Sequence, residues 1–169
     1  GFLLAGAQKN ADAMAAFESA IALDPGLGNA WLGRGLTRIR QGDAEGGRLD
    51  LMVAAAIEPQ RALFRSYLGK AYSNGNDAAK ARHELDLAKQ ADPEDPTPWL
   101  YNALELDAEN RVNEAIDELE AAQARGANRG IYRSKLLLDQ DRAVRSANLA
   151  RIYRKADMPE VALREAIRG

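Results

Sequence analysis

The sequence has no cysteine and a single histidine. Without thiols, a disulfide framework, a thiolate metal site and a cysteine nucleophile are all excluded, and the redox compartment leaves no trace. One histidine cannot supply the imidazole pairs of most metal sites or most acid–base constellations. Aromatic residues make up only 6 % of the 169 positions. Long apolar runs are also missing: stretches such as Val53–Ile57 and Leu136–Leu138 fall far short of a bilayer span, so no membrane insertion is expected. Gly1 is not followed by the basic, apolar and small-residue succession of a signal peptide. Nor is there an excess of one charge. The 23 Lys+Arg against 25 Asp+Glu leave a net −2 and an isoelectric point near 5.6. That balance argues against a strongly basic nucleic-acid binder while leaving room for a local basic patch. The length suits roughly one domain.

What the sequence does contain is periodicity. Ala13, Gly47, Ala81 and Ala115 recur at intervals of 34. Four residues after each comes a large apolar side chain (Phe17, Leu51, Leu85, Leu119), and three further on an alanine (Ala20, Ala54, Ala88, Ala122). Pro25, Pro59 and Pro93 keep the same interval, as do Trp31, Arg65 and Trp99, and Gly1, Gly35, Gly69 and Ala103. Several independent columns holding one period mark a repeat architecture in which neighbouring units shelter each other's apolar faces.

Each unit reads as two helices. Leu68, Ala71 and Tyr72 share one face by their three- and four-residue spacing. Ser73–Asn76 breaks that helix, Asp77 caps the next, and Ala81, Leu85 and Ala88 form its buried stripe up to Asp92-Pro93. The second unit runs as a helix from Trp31 to Gln41, a Gly42-Asp43 break, and a helix from Ala44 to Ile57. Thr97-Pro98 reads as the cap and first position of the next unit. Gly35, Gly69 and Ala103, facing Gly47, Ala81 and Ala115, are expected to let the paired helices approach closely.

These columns resemble the tetratricopeptide repeat, whose pattern runs Trp, Leu-Gly, Tyr, Ala, Phe and Pro. The third unit matches best through Leu68-Gly69, Tyr72, Ala81, Leu85, Ala88 and Pro93, with Arg65 in place of the tryptophan. The second keeps Trp31 and Gly35 but has Arg34 and Arg38 where Leu and Tyr are usual. These arginines either lay buried stems under solvated heads or mark a local polar contact. The resemblance implies an all-α fold, a right-handed α-α superhelix (solenoid) of stacked helix-turn-helix units. The expected organisation is one solenoid segment over 1–169: a partial repeat at 1–25, full repeats at 28–59, 62–93 and 96–127, an insertion at 128–142, and a divergent partial repeat at 143–169. The insertion follows from Ala162, which lies 47 rather than 34 residues beyond Ala115. Asp157 and Glu160 resemble a capping box around Pro159. Units cut at both ends suggest a piece of a longer repeat protein. The run Ile131–Asp139 with Ala150–Tyr153 resembles exported bacterial repeat proteins, which points to the periplasm or cell envelope.

No residue pattern suggests catalysis, a cofactor or a metal. His83 reads as an exposed surface residue without a His-Glu-x-x-His partner. Gly26-x-Gly28 and Gly33-x-Gly35 lack the third glycine and preceding strand of a nucleotide loop. Asp139-Gln140-Asp141 is too short for a calcium loop and reads as a cap. No nucleophile and base stand together.

The first helix of each unit lines the concave side in proteins of this family, and such curved surfaces serve binding. Carried onto this chain, the partner-binding groove comprises Leu32, Leu36, Arg40, Tyr67, Lys70, Asn74, Leu100, Tyr101 and Leu104, with Ile39, Leu63, Ser66, Ser73, Thr97 and Asp107 beside them. Leu32, Leu36, Leu63, Tyr67 and Tyr101 stand where some members clamp a peptide carboxylate, so that clamp is not expected. The mixture of Leu and Tyr suits an amphipathic helix or an extended peptide, with some of these residues packing between helices instead. The expected function is a non-catalytic scaffold for a protein or peptide partner. Two alternatives stay open: self-association by stacking through terminal helices, and nucleic-acid binding at the basic end. Residues 129–169 hold ten Lys+Arg and five Asp+Glu, whereas 1–128 hold thirteen and twenty. Arg151, Arg154 and Lys155 form the candidate basic patch, with a solvated helix face as the plain alternative.

Overall fold

The structure, a computed structural model, describes residues 1–126 and 150–168. The insertion expected at 128–142, and with it Ile131–Asp139 and Asp139-Gln140-Asp141, lies outside the described residues. The chain divides into two compact units, Gly1–Pro93 and Glu94–Gly169. Both are helical, and no strand occurs among the described residues.

In the first unit, α1 (Phe2–Gly6), α2 (Asn10–Leu23), α3 (Gly28–Arg40), α4 (Ala44–Ile57), α5 (Ala62–Asn74) and α6 (Ala78–Ala91) pack each on the next in chain order. In the second, α7 (Pro96–Ala108) pairs with α8 (Val112–Gly126), followed by a helical stretch at 150–155 (α9) and α10 (Pro159–Arg168).

The stops and starts follow from local chemistry. α2, α4 and α6 end one residue before Asp24-Pro25, Glu58-Pro59 and Asp92-Pro93, because the residue ahead of a proline is driven out of the helical region. Asp43 and Asp77 cap α4 and α6 by accepting from the Gly46 and Lys80 amides. The cap of α7 is Asp95, whose carboxylate accepts from Thr97 N at 2.8 Å, with Pro96 in the first turn. The helix therefore starts two residues earlier than Thr97-Pro98 implied: Asp95-Pro96 meets the same rule sooner and brings a charged acceptor to the helix N-terminus.

The turn inside each hairpin reveals a column that the residue types conceal. Gln8, Gly42, Asn76, Asn110 and Asp157 all have positive φ, between 58° and 95°. Their spacing is 34, 34, 34 and then 47. The residue after each donates its amide five residues back, in the pairs Lys9–Leu4, Asp43–Arg38, Asp77–Tyr72, Arg111–Leu106 and Met158–Tyr153, at 2.9–3.0 Å. This is the Schellman closure, which needs one left-handed residue and satisfies an orphan carbonyl of the preceding helix. Asp157 is thus the left-handed turn residue rather than a cap, because α10 begins at Pro159 and leaves Met158 between them.

Packing uses the small-residue columns as steric gaps. A Cβ added to Gly35 would sit 2.8 Å from the carbonyl oxygen of Gly47, and one added to Gly47 would sit 2.6 Å from that of Gly35. Both approaches are to backbone, which cannot turn aside. A Cβ on Gly69 would meet Leu85 Cγ at 2.8 Å and the Ala81 oxygen at 3.1 Å. Leu51, Leu85 and Leu119 fill the space beside these approaches and are 0–1 % exposed. The first unit has one core of Leu32, Leu51, Ala54, Phe64, Leu68, Tyr72 and Ala81 and a smaller one of Ala5, Ala13 and Phe17. The second is centred on Ala103, Leu106, Ala115, Leu119, Ile152, Tyr153 and Ala162.

Candidate functional site

α3 and α5 project their residues in matching register, since Leu36 and Lys70, and Arg40 and Asn74, stand 34 apart. Leu36, Ile39 and Tyr67 are half-buried and rest on the first unit's core. Lys70 is half-buried, while Arg40 and Asn74 are exposed. Arg40 Nη1 donates to the carbonyl of Ala5 at 2.8 Å, laying a cation across the last turn of α1. Leu32 does not join this face: at 4 % exposure it belongs to the core. Ser66 is fully buried, its hydroxyl donating to Ala62 O at 2.9 Å, whereas Leu63 and Ser73 are half-buried.

In the second unit Leu100 and Leu104 are half-buried against the core of α7 to α10. Tyr101 is 7 % exposed and Thr97 4 %, so both are interior, and Tyr101 offers a partner almost nothing. Helical periodicity places a residue on a face but does not tell how much of that face its neighbours cover.

Several charged residues pair inside each unit. Asp50, 3 % exposed, accepts from Arg34 Nε at 2.8 Å and Arg34 Nη2 at 2.7 Å, and Arg38 Nη1 lies 3.1 Å from Oδ2, the oxygen that Arg34 Nε also holds. The hydrogen bond to Asp50 raises the pKa of Arg34, whose guanidinium also stacks 4.7 Å over the Trp31 ring. The arginines in the Leu and Tyr columns therefore make a local polar contact, spanning the α3–α4 hairpin. The neighbouring unit repeats the device in another arrangement. Glu84, 34 residues after Asp50, is held by Arg65 at 2.8 Å. Arg65 also donates to Pro59 O at 2.6 Å, just as the Trp31 indole N–H donates to Pro25 O at 2.8 Å. An arginine can stand in the tryptophan column because both present an N–H at the same reach.

The basic patch has a similar fate. Arg151 and Lys155 converge on Asp107 at 3.0 and 2.7 Å, and the Asp107 side chain is only 2 % exposed. Arg154 is exposed and its Nε donates to Ala150 O. Asp50 and Glu84 were the residues missed by sequence reasoning, although an acid recurring at a 34-residue interval opposite arginines could have marked them. Asp107, expected beside the groove, is instead buried and holds Arg151 and Lys155. His83 is exposed, and no three potential metal ligands gather among the described residues. No helix among them is long and apolar enough to cross a membrane.

Solved structures give the fold its name. A crystal structure described as that of YrrB, a TPR protein with an unusual peptide-binding site, superposes with a TM-score of 0.60 at 17 % identity, covering 96 % of this chain and 77 % of that one. The fold is that of the tetratricopeptide repeat. MamA is similar at a TM-score of 0.67 and 14 % identity, over 98 % of this chain and 89 % of that one. A chain of the APC/C hetero-tetramer Cut9-Hcn1 reaches a TM-score of 0.82 at 20 % identity over 96 % of this chain, which spans only 30 % of that longer one. No protein-family model matches the sequence, and no curated protein matches it at a significant level.

Proposed function

We propose that the chain is a non-catalytic protein-interaction scaffold, holding a peptide or helix of a partner on the face presented by its first helices. The supporting observation is the α3–α5 face, where half-buried Leu36, Ile39 and Tyr67 adjoin exposed Arg40 and Asn74. Partly covered apolar side chains on a rigid support, bordered by polar groups, are what a helix or extended peptide needs from a docking surface. The similarity to a TPR protein with a peptide-binding site supports the same reading. Its test is capture of the native partner by the intact protein, compared with the Tyr67→Ala/Lys70→Ala variant. Loss of an aromatic anchor costs on the order of 2 kcal/mol, roughly thirtyfold in affinity. Unchanged binding by a variant that keeps its circular dichroism spectrum rejects the reading.

Self-association is the second reading, and it has its own observation. Leu3 and Leu23 at α1 and α2 are 84 % and 88 % exposed, and Leu163 on α10 is 63 % exposed. Such side chains on outer helices suit stacking against another copy. Light scattering on the full-length protein decides it: a strict monomer removes this reading and leaves the first. The nucleic-acid reading draws less support, because Arg151 and Lys155 are engaged with Asp107.

A further inference from the structure

The first helices of the Gly1–Pro93 unit show a charge asymmetry. α1, α3 and α5 contain no Asp or Glu and five cations: Arg34, Arg38, Arg40, Arg65 and Lys70. The second helices α2, α4 and α6 hold Asp12, Glu18, Glu45, Asp50, Glu84 and Asp86. Three of the five cations are matched by the partner helix of their own hairpin, Arg34 and Arg38 by Asp50 and Arg65 by Glu84. Arg40 is different: it is exposed, and its hydrogen bond goes to the carbonyl of Ala5, which orients the guanidinium but leaves its charge uncompensated. Lys70 stands in register with Leu36 on the neighbouring first helix. The face bearing Leu36, Ile39 and Tyr67 is therefore bordered by positive charge, with no carboxylate on its own helices.

We infer that this face selects acidic peptides: segments whose apolar side chains seat on Leu36, Ile39 and Tyr67 while a carboxylate meets Arg40. This deepens the scaffold reading and rests on it. Arg40 suits the role because a guanidinium retains free N–H donors after one bond to a carbonyl, and two of them match a carboxylate. An incoming acid is drawn by a field that nothing on α1, α3 or α5 opposes, and like-charged segments are turned away. The apolar centre favours a peptide over a nucleic acid, whose backbone would demand cations along its whole track.

The test is selection of a random peptide library, displayed on phage, against the full chain. Bound sequences are expected to combine apolar residues with Asp or Glu. A selected peptide, labelled for fluorescence anisotropy, should bind about tenfold more weakly to Arg40→Gln, the loss of one charge-assisted contact. Arg40→Lys should recover most of that loss, and added salt should weaken the wild type more than Arg40→Gln. Selected peptides without acidic enrichment, but still released by Tyr67→Ala/Lys70→Ala, overturn the charge selectivity and leave the scaffold reading standing. Peptides indifferent to all of these substitutions, or a library that yields no binder, overturn both. A single-stranded RNA probe that binds better than the peptides and is lost in Arg40→Gln overturns the choice of partner.

Discussion

Removing the Asp50 carboxylate should destabilise the first unit far more than removing the whole ion cluster. Its side chain is 4 % exposed and stands between Arg34, 15 % exposed, and Arg38, 29 % exposed. Asp50→Ala leaves two cations facing a space that water barely enters. Removing one partner of a buried pair typically costs about 3–5 kcal/mol. The lower end applies here, since Arg38 has other acceptors in Gly46 O at 3.4 Å and Asp43 at 3.9 Å, and Arg34 keeps its place over Trp31. The expected loss is about 3 kcal/mol. The triple variant Arg34→Leu/Arg38→Tyr/Asp50→Ala removes every charge and installs the side chains that the next hairpin carries as Leu68 and Tyr72. Replacing a buried ion cluster by packed apolar groups is often neutral or stabilising, so the triple variant should recover most of the deficit. Urea unfolding followed by far-ultraviolet circular dichroism measures both. A loss under about 1 kcal/mol for Asp50→Ala, or a triple variant as unstable as the single one, refutes the reasoning.

Three further outcomes follow from the packing and the turns. Gly47→Ala should destabilise by about 1–2 kcal/mol in the same unfolding experiment, because spreading the α3–α4 hairpin outweighs the helix-propensity gain of about 1 kcal/mol; Gly6→Ala, whose Cβ meets nothing within 4 Å, should not destabilise. Gln8→Gly should raise stability by up to about 1 kcal/mol, since Gln8 holds φ at 59° where glycine carries no steric cost; a lower unfolding midpoint would contradict this. The Lys80 ammonium beside Asp77 holds that carboxyl below its ordinary value, and Arg48 and Arg111 do the same to Glu45 and Glu114. Depressed carboxyls stabilise the fold above about pH 4 and lose that contribution as pH falls through their folded values, so the acid transition of Asp77→Asn should be shallower than that of the wild type.

How much was legible depended on whether a residue's role lies in its own hairpin or in what covers it. Gly35, Gly47, Leu51 and Leu85 could be read because a 34-residue period places them opposite one another, and the structure shows that contact. Asp77 could be read as a cap from local chemistry alone, whereas Asp43, read only as part of a break, turned out to cap α4 in the same way. The left-handed column was hidden because Gln8, Gly42, Asn76, Asn110 and Asp157 are four residue types sharing one backbone state. Asp95 was hidden by a second Xaa-Pro pair two residues on. Leu32 and Tyr101 show the limit for a binding face. Their helical positions match those of half-buried neighbours, yet tertiary packing covers them.

The opposed charges of the second unit lead to a different view of the basic end. Residues 94–128 hold nine Asp+Glu against two Lys+Arg, and the stretch after them is basic. Where the described residues of the two stretches meet, Arg151 and Lys155 close on a carboxylate that is 2 % exposed. A buried acid held by two cations is costly to leave alone. These cations are therefore committed to joining α9 to α7 before any ligand arrives. A nucleic acid seeking Arg151 and Lys155 would have to strip them from Asp107 and leave that charge uncompensated. Only Arg154 of the three could answer a phosphate without such a penalty, and one phosphate contact supplies little affinity at physiological salt. Arg151 and Lys155, two of the three cations of the candidate patch, thus serve as the electrostatic half of the unit's own packing.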